Sequence, residues 1–366
     1  MSAAGFPQAP IVDIGALYGA DGDAHTRAQT ALVDAVTSSG VFVAVGMPDS
    51  ERLDEHANFL LRFFELSDKQ RDSLSIKRSD PNSDRMYRGY YSTPARHRFS
   101  HLQYFDIGPD RNLAVPELLD AHMFVERNVW PVNEPAPGWR AAMLAHYAML
   151  EQLGQTVLYA LADAMRIDLS ALKSRFDHGN STMRLLRYPT RPTDTPIDTT
   201  PGKATLGRDP NEEAMAIGRH TDGCGLSLLW QRDCGLQGQA SDGTWFDVPA
   251  TDNGVSVHIG DVVDSLTERR IPATPHRVFN QPTERRSLGF FLEPTLVANC
   301  APIGPDSLDS TASMASLDSL SRPESGYRRE ELDSYCALLL RRHARYPGYE
   351  GIVRDPDTHP VSQQPN

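Results

Sequence analysis

Hydrophobic positions in the first half of the chain recur mainly at helical spacing. Between residues 139 and 165 apolar side chains return every three or four positions, which predicts a long helix with one apolar face. Pro135 and Pro137 stand just before this segment, where the start of a helix tolerates proline. Apolar positions at 32–36 predict the end of an earlier helix, and the apolar run at 41–45 predicts a short buried strand.

From about residue 176 the pattern changes to short apolar runs separated by turn residues. The segment Ser241-Asp242-Gly243 is typical of a hairpin turn, since Asp-Gly readily adopts the positive φ angles that such turns need. Short strands at this spacing favour a barrel or a double-sheet jelly roll over alternating strands and helices. The predicted strands lie at 183–188, 226–230, 245–248, 255–259, 277–279 and 286–292.

These patterns divide the chain into three regions of an α+β fold. We expect a mainly helical region over 1–175, a β-rich core over 176–302 and a C-terminal region over 303–366. The last region opens with a Ser- and Asp-rich stretch at 303–323, which is either a solvated loop or a mobile lid. A final helix is predicted over 328–345, followed by a polar tail.

Composition and charge narrow the class of function. The 366 residues carry 36 Lys and Arg against 48 Asp and Glu, a net charge of −12, which argues against a nucleic-acid partner. No apolar run approaches the roughly 18–20 residues that cross a bilayer, and the N-terminus does not read as a signal peptide. The 4 cysteines form neither a disulfide framework nor a CxxC motif. We expect a soluble, cytoplasmic enzyme of small molecules, monomeric or weakly homo-oligomeric, without a membrane partner.

The candidate chemistry begins in the segment 218–223. Side chains alternate along a strand, so His220 and Asp222 lie on one face and provide two ligands for a divalent metal. His276 supplies a third, and two histidines with one carboxylate and open positions are the arrangement of non-haem Fe(II) oxygenases. A His-x-Asp pair alone is a weak signal, because such pairs also occur as surface or structural residues.

A second motif beyond His276 strengthens the metal hypothesis. Alternation over 285–291 places Arg285, Ser287 and Phe291 on one face of a strand. A buried guanidinium can bind a carboxylate through two parallel hydrogen bonds, a serine hydroxyl can donate to the same oxygens, and Phe291 would wall the cavity. A surface charge cluster explains Arg286 better than Arg285. The sequence therefore predicts a carboxylate site near the metal.

Together these motifs are similar to those of the iron- and 2-oxoglutarate-dependent oxygenases of the isopenicillin N synthase-like type. The resemblance covers most of the chain. Beside the two site motifs it rests on four further landmarks: Pro10-Ile11-Val12-Asp13, Gly40-Val41-Phe42, Arg88-Gly89-Tyr90 and Asn128-Val129-Trp130-Pro131.

The resemblance implies a fold, a set of cofactors and roles for named residues. The fold would be a double-stranded β-helix, or jelly roll, with a helical N-terminal region and a C-terminal helix. Fe(II) would be bound by His220, Asp222 and His276, with O2 as a further reactant. Arg285 and Ser287 would bind the distal carboxylate of 2-oxoglutarate.

The chain departs from the family pattern at three places. Leu186-Arg187-Tyr188 replaces Asn-x-Tyr, so Tyr188 can keep a role at the cosubstrate while Leu186 cannot donate a hydrogen bond. Val45-Gly46-Met47 replaces the usual Asn-His-Gly. His258 stands where Asn is common, and we expect it to pack or hydrogen-bond beside the site, with a place near the metal left open.

The implied activity is oxidation of a small-molecule substrate, with 2-oxoglutarate converted to succinate and CO2. Hydroxylation is the default outcome, and desaturation, ring formation and demethylation stay open. One alternative is an isopenicillin N synthase-like Fe(II) oxidase that uses no 2-oxoglutarate. Another is a non-catalytic metal- or ligand-binding jelly roll, against which the carboxylate motif argues. The candidate substrate-pocket residues are Arg88, Tyr91, Tyr104 and Phe291.

Overall fold

The computed structural model describes most of the chain. The described residues are 8–78, 80, 83–93, 102–190, 215–279, 283–303, 332–345, 349 and 352–358. The predicted loop or lid at 303–323 lies outside them except for Ile303, as do residues 328–331 of the predicted final helix.

Helices and strands alternate irregularly along the described chain. The helices are α1 Asp23–Ser38, α2 Leu53–Leu61, α3 Asp68–Asp72, α4 Trp139–Ala164, α5 Leu169–Phe176, α6 Asp261–Leu266 and α7 Tyr335–His343, with short 3-10 helices at Gly15–Tyr18, Ser50–Arg52, Arg62–Glu65 and Ala121–Val125. The strands are β1 Ile11–Asp13, β2 Val41–Val45, β3 Gly89–Ser92, β4 Gln103–Ile107, β5 Thr182–Tyr188, β6 Met215–His220, β7 Leu226–Gln231, β8 Leu236–Gln239, β9 Trp245–Asp247, β10 Val255–Ile259, β11 His276–Phe279 and β12 Arg285–Leu292.

The described strands form two sheets that face each other. The large sheet has the order β1-β2-β10-β7-β12-β5-β4-β3, and the small sheet has the order β6-β11-β8-β9. Neighbouring strands are antiparallel except for the parallel pair of β1 and β2. Buried side chains from both sheets, such as Val43 and Tyr188 from the large one and Leu236 and Val278 from the small one, share one apolar cluster. This is the predicted double-sheet jelly-roll architecture.

The outer face of the large sheet is covered by α4. Tyr147 of this helix contacts Phe290 of β12, with ring centres 5.1 Å apart. The helix approaches closely at Gly154, where a Cβ atom would lie 3.3 Å from Leu292. Each large apolar side chain that is fully buried in this layer contributes about 1.5–3 kcal/mol. The layer holds β5, β7 and β12 in place, and their opposite faces point between the sheets.

The predicted elements agree with the structure in the middle of the chain and differ near its ends. The helix predicted over 139–165 and the strand predicted over 41–45 are confirmed, as are the predicted strands from 183 onward. The first 175 residues are not only helical, because β1 to β4 belong to the large sheet. Strands β1, β3, β4, β6 and β8 were not among the predicted strands. Their extended conformation depends on pairing with neighbours that are distant in sequence.

The described part of the last predicted helix runs from Tyr335 to His343. Within the described residues it begins at Tyr335, where the Ser334 hydroxyl accepts a hydrogen bond from the Ala337 N–H at 3.2 Å. Serine is a favoured residue at this capping position, which fixes the start of the helix.

Among the described residues, no helix combines the length and apolarity needed to cross a membrane.

Candidate metal centre and carboxylate site

The three predicted metal ligands lie close together beside the paired strands β6 and β11. His220 ends β6 and His276 begins β11, and the two residues are directly opposed across these strands. Asp222 follows two residues after His220, on the turn that leads to β7. Its carboxylate oxygens lie 3.6 Å from Nε2 of His220 and 3.4 Å from Nε2 of His276. One ligand atom from each residue falls within 4.8 Å of the others, so one ion can contact all three.

Backbone contacts orient both imidazoles toward this point. Nδ1 of His220 lies 2.8 Å from the Gly218 carbonyl, and Nδ1 of His276 lies 3.1 Å from the Thr274 carbonyl. The Nδ1–H group therefore donates to the backbone, and Nε2 keeps its lone pair for a metal. Burial lowers the pKa of His276, against the opposing effect of Asp222, which favours the neutral, metal-binding form.

The Asp222 carboxylate is held as an anion. Burial alone would raise its pKa, but the nearby His276 and His220 rings and a hydrogen bond from Ser227 leave that pKa below its usual range. The Ser227 hydroxyl donates to Oδ2 at 2.5 Å. Two imidazoles that present Nε2 and one oriented carboxylate match the ligand set that non-haem Fe(II) prefers. The residues present therefore fit iron.

His258 lies close to this centre without joining it. Its ring centre is 4.9 Å from that of His276, and its Nε2 lies 3.2 Å from the Ser256 hydroxyl. Burial lowers its pKa well below the usual value, so the ring is neutral. The contacts are those of a packed, hydrogen-bonded side chain on β10.

The predicted carboxylate site lies on the inner face of β12. Arg285 is buried, and it donates from Nη1 to the Ser287 hydroxyl at 3.2 Å and from Nη2 to Oε1 of Gln231 at 2.9 Å. Tyr188 is paired with Arg285 across β5 and β12, and the guanidinium lies 5.1 Å from the centre of its ring. Arg286 points the other way and donates to Glu284 at 2.7 Å. The alternation predicted for this strand is therefore present.

Metal and carboxylate residues share one small cavity. This cavity, of about 110 Å³, is lined by neighbouring apolar side chains and by His220, Asp222, His276, Tyr188, Leu186, Arg184, Arg285, Ser287 and Phe291. Burial raises the pKa of Tyr188, against the effect of Arg285, so its phenol stays protonated and can donate a hydrogen bond. A cation site and a charged fork for a carboxylate thus border the same space.

A larger cavity, of about 530 Å³, adjoins the small one. Both cavities are lined by Asp222 and Phe291, and Tyr91 and Tyr104 line the larger one. Three of the four predicted substrate-pocket residues therefore lie together.

Arg88 is the exception, and its predicted place in the substrate pocket is wrong. Its side chain is buried and donates to the Glu126 carbonyl at 2.9 Å and to Oδ1 of Asn180 at 2.7 Å. The guanidinium also packs against Gly108, where a Cβ atom would lie 2.0 Å from its central carbon. These contacts connect the segments around 88, 126 and 180, so Arg88 acts as a structural cross-link.

Several residues that line the cavities or contact the site were not predicted from the sequence. Alternation from Tyr188 could have placed Arg184 on the inner face of β5. Gln231 could be found only from the pairing of β7 with β12, which places it opposite Ser287. Arg342 of α7 reaches the larger cavity from the end of the chain, and no local signal indicates this contact.

Comparison with known proteins finds similar sequences in the part of the chain that holds the metal and carboxylate residues. The model of the 2OG-Fe(II) oxygenase superfamily matches residues 180–294, which contain all the predicted metal and carboxylate residues. The chain is 26% identical over 302 residues to an isopenicillin N synthase of Streptomyces clavuligerus, covering 81% of this chain and 88% of the relative. It is 27% identical over 310 residues to a 2-oxoglutarate-Fe(II) type oxidoreductase of Emericella nidulans, covering 80% and 82%.

The fold also matches solved structures. A crystal structure of a 2OG-Fe(II) oxygenase family protein from Caulobacter crescentus superposes with a TM-score of 0.59 at 24% identity, covering 78% of this chain and 86% of that one. At this identity the likeness supports the fold.

Proposed function

We propose that this member of the 2OG-Fe(II) oxygenase superfamily hydroxylates a small-molecule substrate and releases succinate and CO2. The protein is an enzyme, an Fe(II)- and 2-oxoglutarate-dependent dioxygenase, with O2 as its other reactant. The observation that most supports the proposed reaction is the single cavity bordered by His220, Asp222, His276, Arg285 and Ser287.

In this proposal the three residues at the strand ends hold Fe(II). When bound, the iron supplies O2 activation and the oxidising power for the substrate. His220 and His276 present Nε2 because their Nδ1 atoms are engaged by backbone carbonyls. Ser227 fixes the orientation of Asp222 through its hydrogen bond, which keeps one oxygen available to the metal.

The buried end of β12 holds 2-oxoglutarate. The Arg285 guanidinium supplies the positive charge that a buried carboxylate requires, and the Ser287 and Tyr188 hydroxyls can donate to the same group. Gln231 holds one side of the guanidinium, so the fork is oriented before the cosubstrate arrives. The cosubstrate is thus positioned on the large sheet, facing the metal ligands at the edge of the small one.

The substrate occupies the larger cavity. Phe291 and Asp222 border both cavities, so a molecule in the larger one lies next to the metal-binding residues. Aromatic walls from Tyr91 and Tyr104, whose ring centres are 5.2 Å apart, exclude water from one side.

An Fe(II) oxidase that uses no 2-oxoglutarate is the alternative, supported by the isopenicillin N synthase relatives. Anaerobic titration of the Fe(II)-loaded protein with 2-oxoglutarate distinguishes the two. We expect saturable binding by calorimetry together with a weak visible absorption band from the keto-acid chelate, and loss of the band in His276→Ala. Absence of both the band and the binding heat in the wild type would favour the oxidase.

A further inference from the structure

Two polar side chains in the larger cavity have no role in the metal or carboxylate site. Glu293 follows β12 and Thr182 begins β5, and both line this cavity. They are only 7% and 5% exposed. Among the described residues, Oε2 of Glu293 and Oγ1 of Thr182 are buried without a hydrogen-bond partner. Such an atom costs about 1–3 kcal/mol, so native proteins rarely keep one unless water or a ligand supplies the bond.

The strand register places both oxygens at the substrate end of the cavity. Phe291 is paired with Thr182 across β12 and β5, and the Glu293 N–H donates to the Ser181 hydroxyl at 3.1 Å. Glu293 and Phe291 are two residues apart, so they share the inner face of the strand. This is the opposite end of β12 from Arg285. A single molecule in the larger cavity can therefore meet these oxygens as well as the region of the metal ligands.

Three of the described arginines line the same cavity, and all of them contact protein groups. Arg78 donates to the Tyr104 hydroxyl and stacks on the Tyr91 ring. Arg184 donates to both carboxylate oxygens of Asp106, at 2.8 and 2.7 Å. Arg342 donates to the Gly223 carbonyl and, at 3.2 Å, to Asp261. Because Arg184 and Arg342 are engaged by acidic partners and Arg78 by two tyrosines, the three guanidinium groups favour an anionic ligand less strongly than their number suggests.

The Glu293 carboxyl is suited to an uncharged ligand group. Burial raises its pKa to about 8, against the opposing effects of the Arg88 and Arg342 guanidinium groups and of the Tyr335 hydroxyl beside it. At neutral pH the group is therefore mostly protonated, and it offers one O–H donor beside one acceptor oxygen. An amide or lactam edge, with an N–H next to a C=O, complements this pair. The Tyr91, Tyr104 and Phe291 rings also line the cavity, with Arg78 stacked on Tyr91 and Arg184 on Tyr104. Flat aromatic and guanidinium surfaces of this kind pack well against a planar molecule.

We propose that Glu293 and Thr182 form a recognition subsite for a planar, uncharged lactam or amide group of the substrate. Glu293 binds the N–H and C=O edge, and the Thr182 hydroxyl adds a hydrogen bond to the same group. This inference rests on the proposed function, because it takes the larger cavity as the substrate site. It assigns substrate selection to the end of β12 that lies beyond Phe291.

Anaerobic calorimetry with three small probes tests the subsite. The Fe(II)- and 2-oxoglutarate-loaded protein is titrated with 2-pyridone, with N-methyl-2-pyridone, which lacks the N–H, and with benzoate, a planar anion. We expect the wild type to bind 2-pyridone at least about tenfold more tightly than the other two. The Glu293→Ala variant should bind the two pyridones with Kd values within about threefold of each other. The Thr182→Val variant should bind 2-pyridone more weakly than the wild type does.

Two matched variants separate recognition from stability. Glu293→Gln keeps a donor and an acceptor, so the preference for 2-pyridone should persist. Glu284→Gln changes a carboxyl that pairs with Arg187 and Arg286 outside the cavity, and it should leave all three affinities unchanged. Equal binding of the two pyridones to the wild type, tighter binding of benzoate, no binding of 2-pyridone at about 20 mM, or a preference that survives Glu293→Ala would each overturn the proposal.

The proposed function is tested by a separate measurement, the binding of 2-oxoglutarate. Binding of 2-oxoglutarate is measured first, and the probe titrations are repeated with Fe(II) alone. Failure to bind 2-oxoglutarate would contradict the proposed function, whereas the preference for 2-pyridone and its loss in Glu293→Ala decide the subsite in either case.

Discussion

Replacing Arg285 by lysine tests the assignment of the carboxylate site most sharply. Arg285 is 4% exposed, and its two terminal nitrogens are spread between Ser287 and Gln231. Lysine keeps the positive charge but has a single nitrogen, so it cannot make two parallel hydrogen bonds to one carboxylate. A hydrogen bond to a charged group contributes about 1.5–3 kcal/mol. Loss of one such bond therefore predicts at least a tenfold rise in Kd for 2-oxoglutarate, since about 1.4 kcal/mol corresponds to a factor of ten.

Arg286→Lys is the matched control for this prediction. Arg286 is the next residue of the same strand, but its side chain is 37% exposed and pairs with Glu284. A surface ion pair contributes only about 0–1 kcal/mol, and none of it involves the cavity. We expect less than about a threefold change in Kd, measured by anaerobic calorimetry with both variants loaded with Fe(II). Equal effects of the two lysine variants would refute the strand register from which the site is argued.

Three further predictions concern the metal ligands and the fold around them. His276→Ala should abolish Fe(II)-dependent turnover with an unchanged circular dichroism spectrum, and near-wild-type activity with iron bound would refute its role as a ligand. Ser227→Ala removes the hydrogen bond to Asp222 and should weaken Fe(II) binding about 10–100-fold by metal-buffered titration, whereas unchanged affinity would show that the bond does not orient the carboxylate. Gly40→Ala should lower the unfolding free energy by about 1–3 kcal/mol in a denaturant titration, because φ is +69° and a Cβ atom would lie 2.6 Å from the Thr274 hydroxyl; an unchanged midpoint would contradict that.

The residues closest to the metal could be predicted because their signals are local. His220 ends one strand and Asp222 follows it by two residues on the next turn, and Arg285 and Ser287 have the same spacing within another strand. Period-two alternation then assigns Arg285 to the inside of the sheet and Arg286 to the outside, and the structure has this arrangement. What joins the two motifs is their resemblance to a family, because alternation alone does not bring distant strands together.

Residues that depend on pairing between strands could not be predicted in this way. Gln231 meets Arg285 only because β7 and β12 pair in one particular register. Glu293 and Thr182 likewise line one cavity because β12 pairs with β5 in a register that places Phe291 opposite Thr182. Arg88 was misplaced because a landmark motif indicates that a residue is important without indicating which way its side chain points.

Release of CO2 from labelled 2-oxoglutarate tests the central claim most directly. The Fe(II)-loaded protein, given 2-oxoglutarate and O2 without any added substrate, is assayed for CO2 and succinate beside Arg285→Ala and metal-free protein. We expect the wild type to form the two products slowly and in equal amounts, with most of this activity lost in Arg285→Ala and all of it lost without metal. Consumption of O2 by the wild type with no succinate formed, or equal succinate formation by Arg285→Ala, would contradict it.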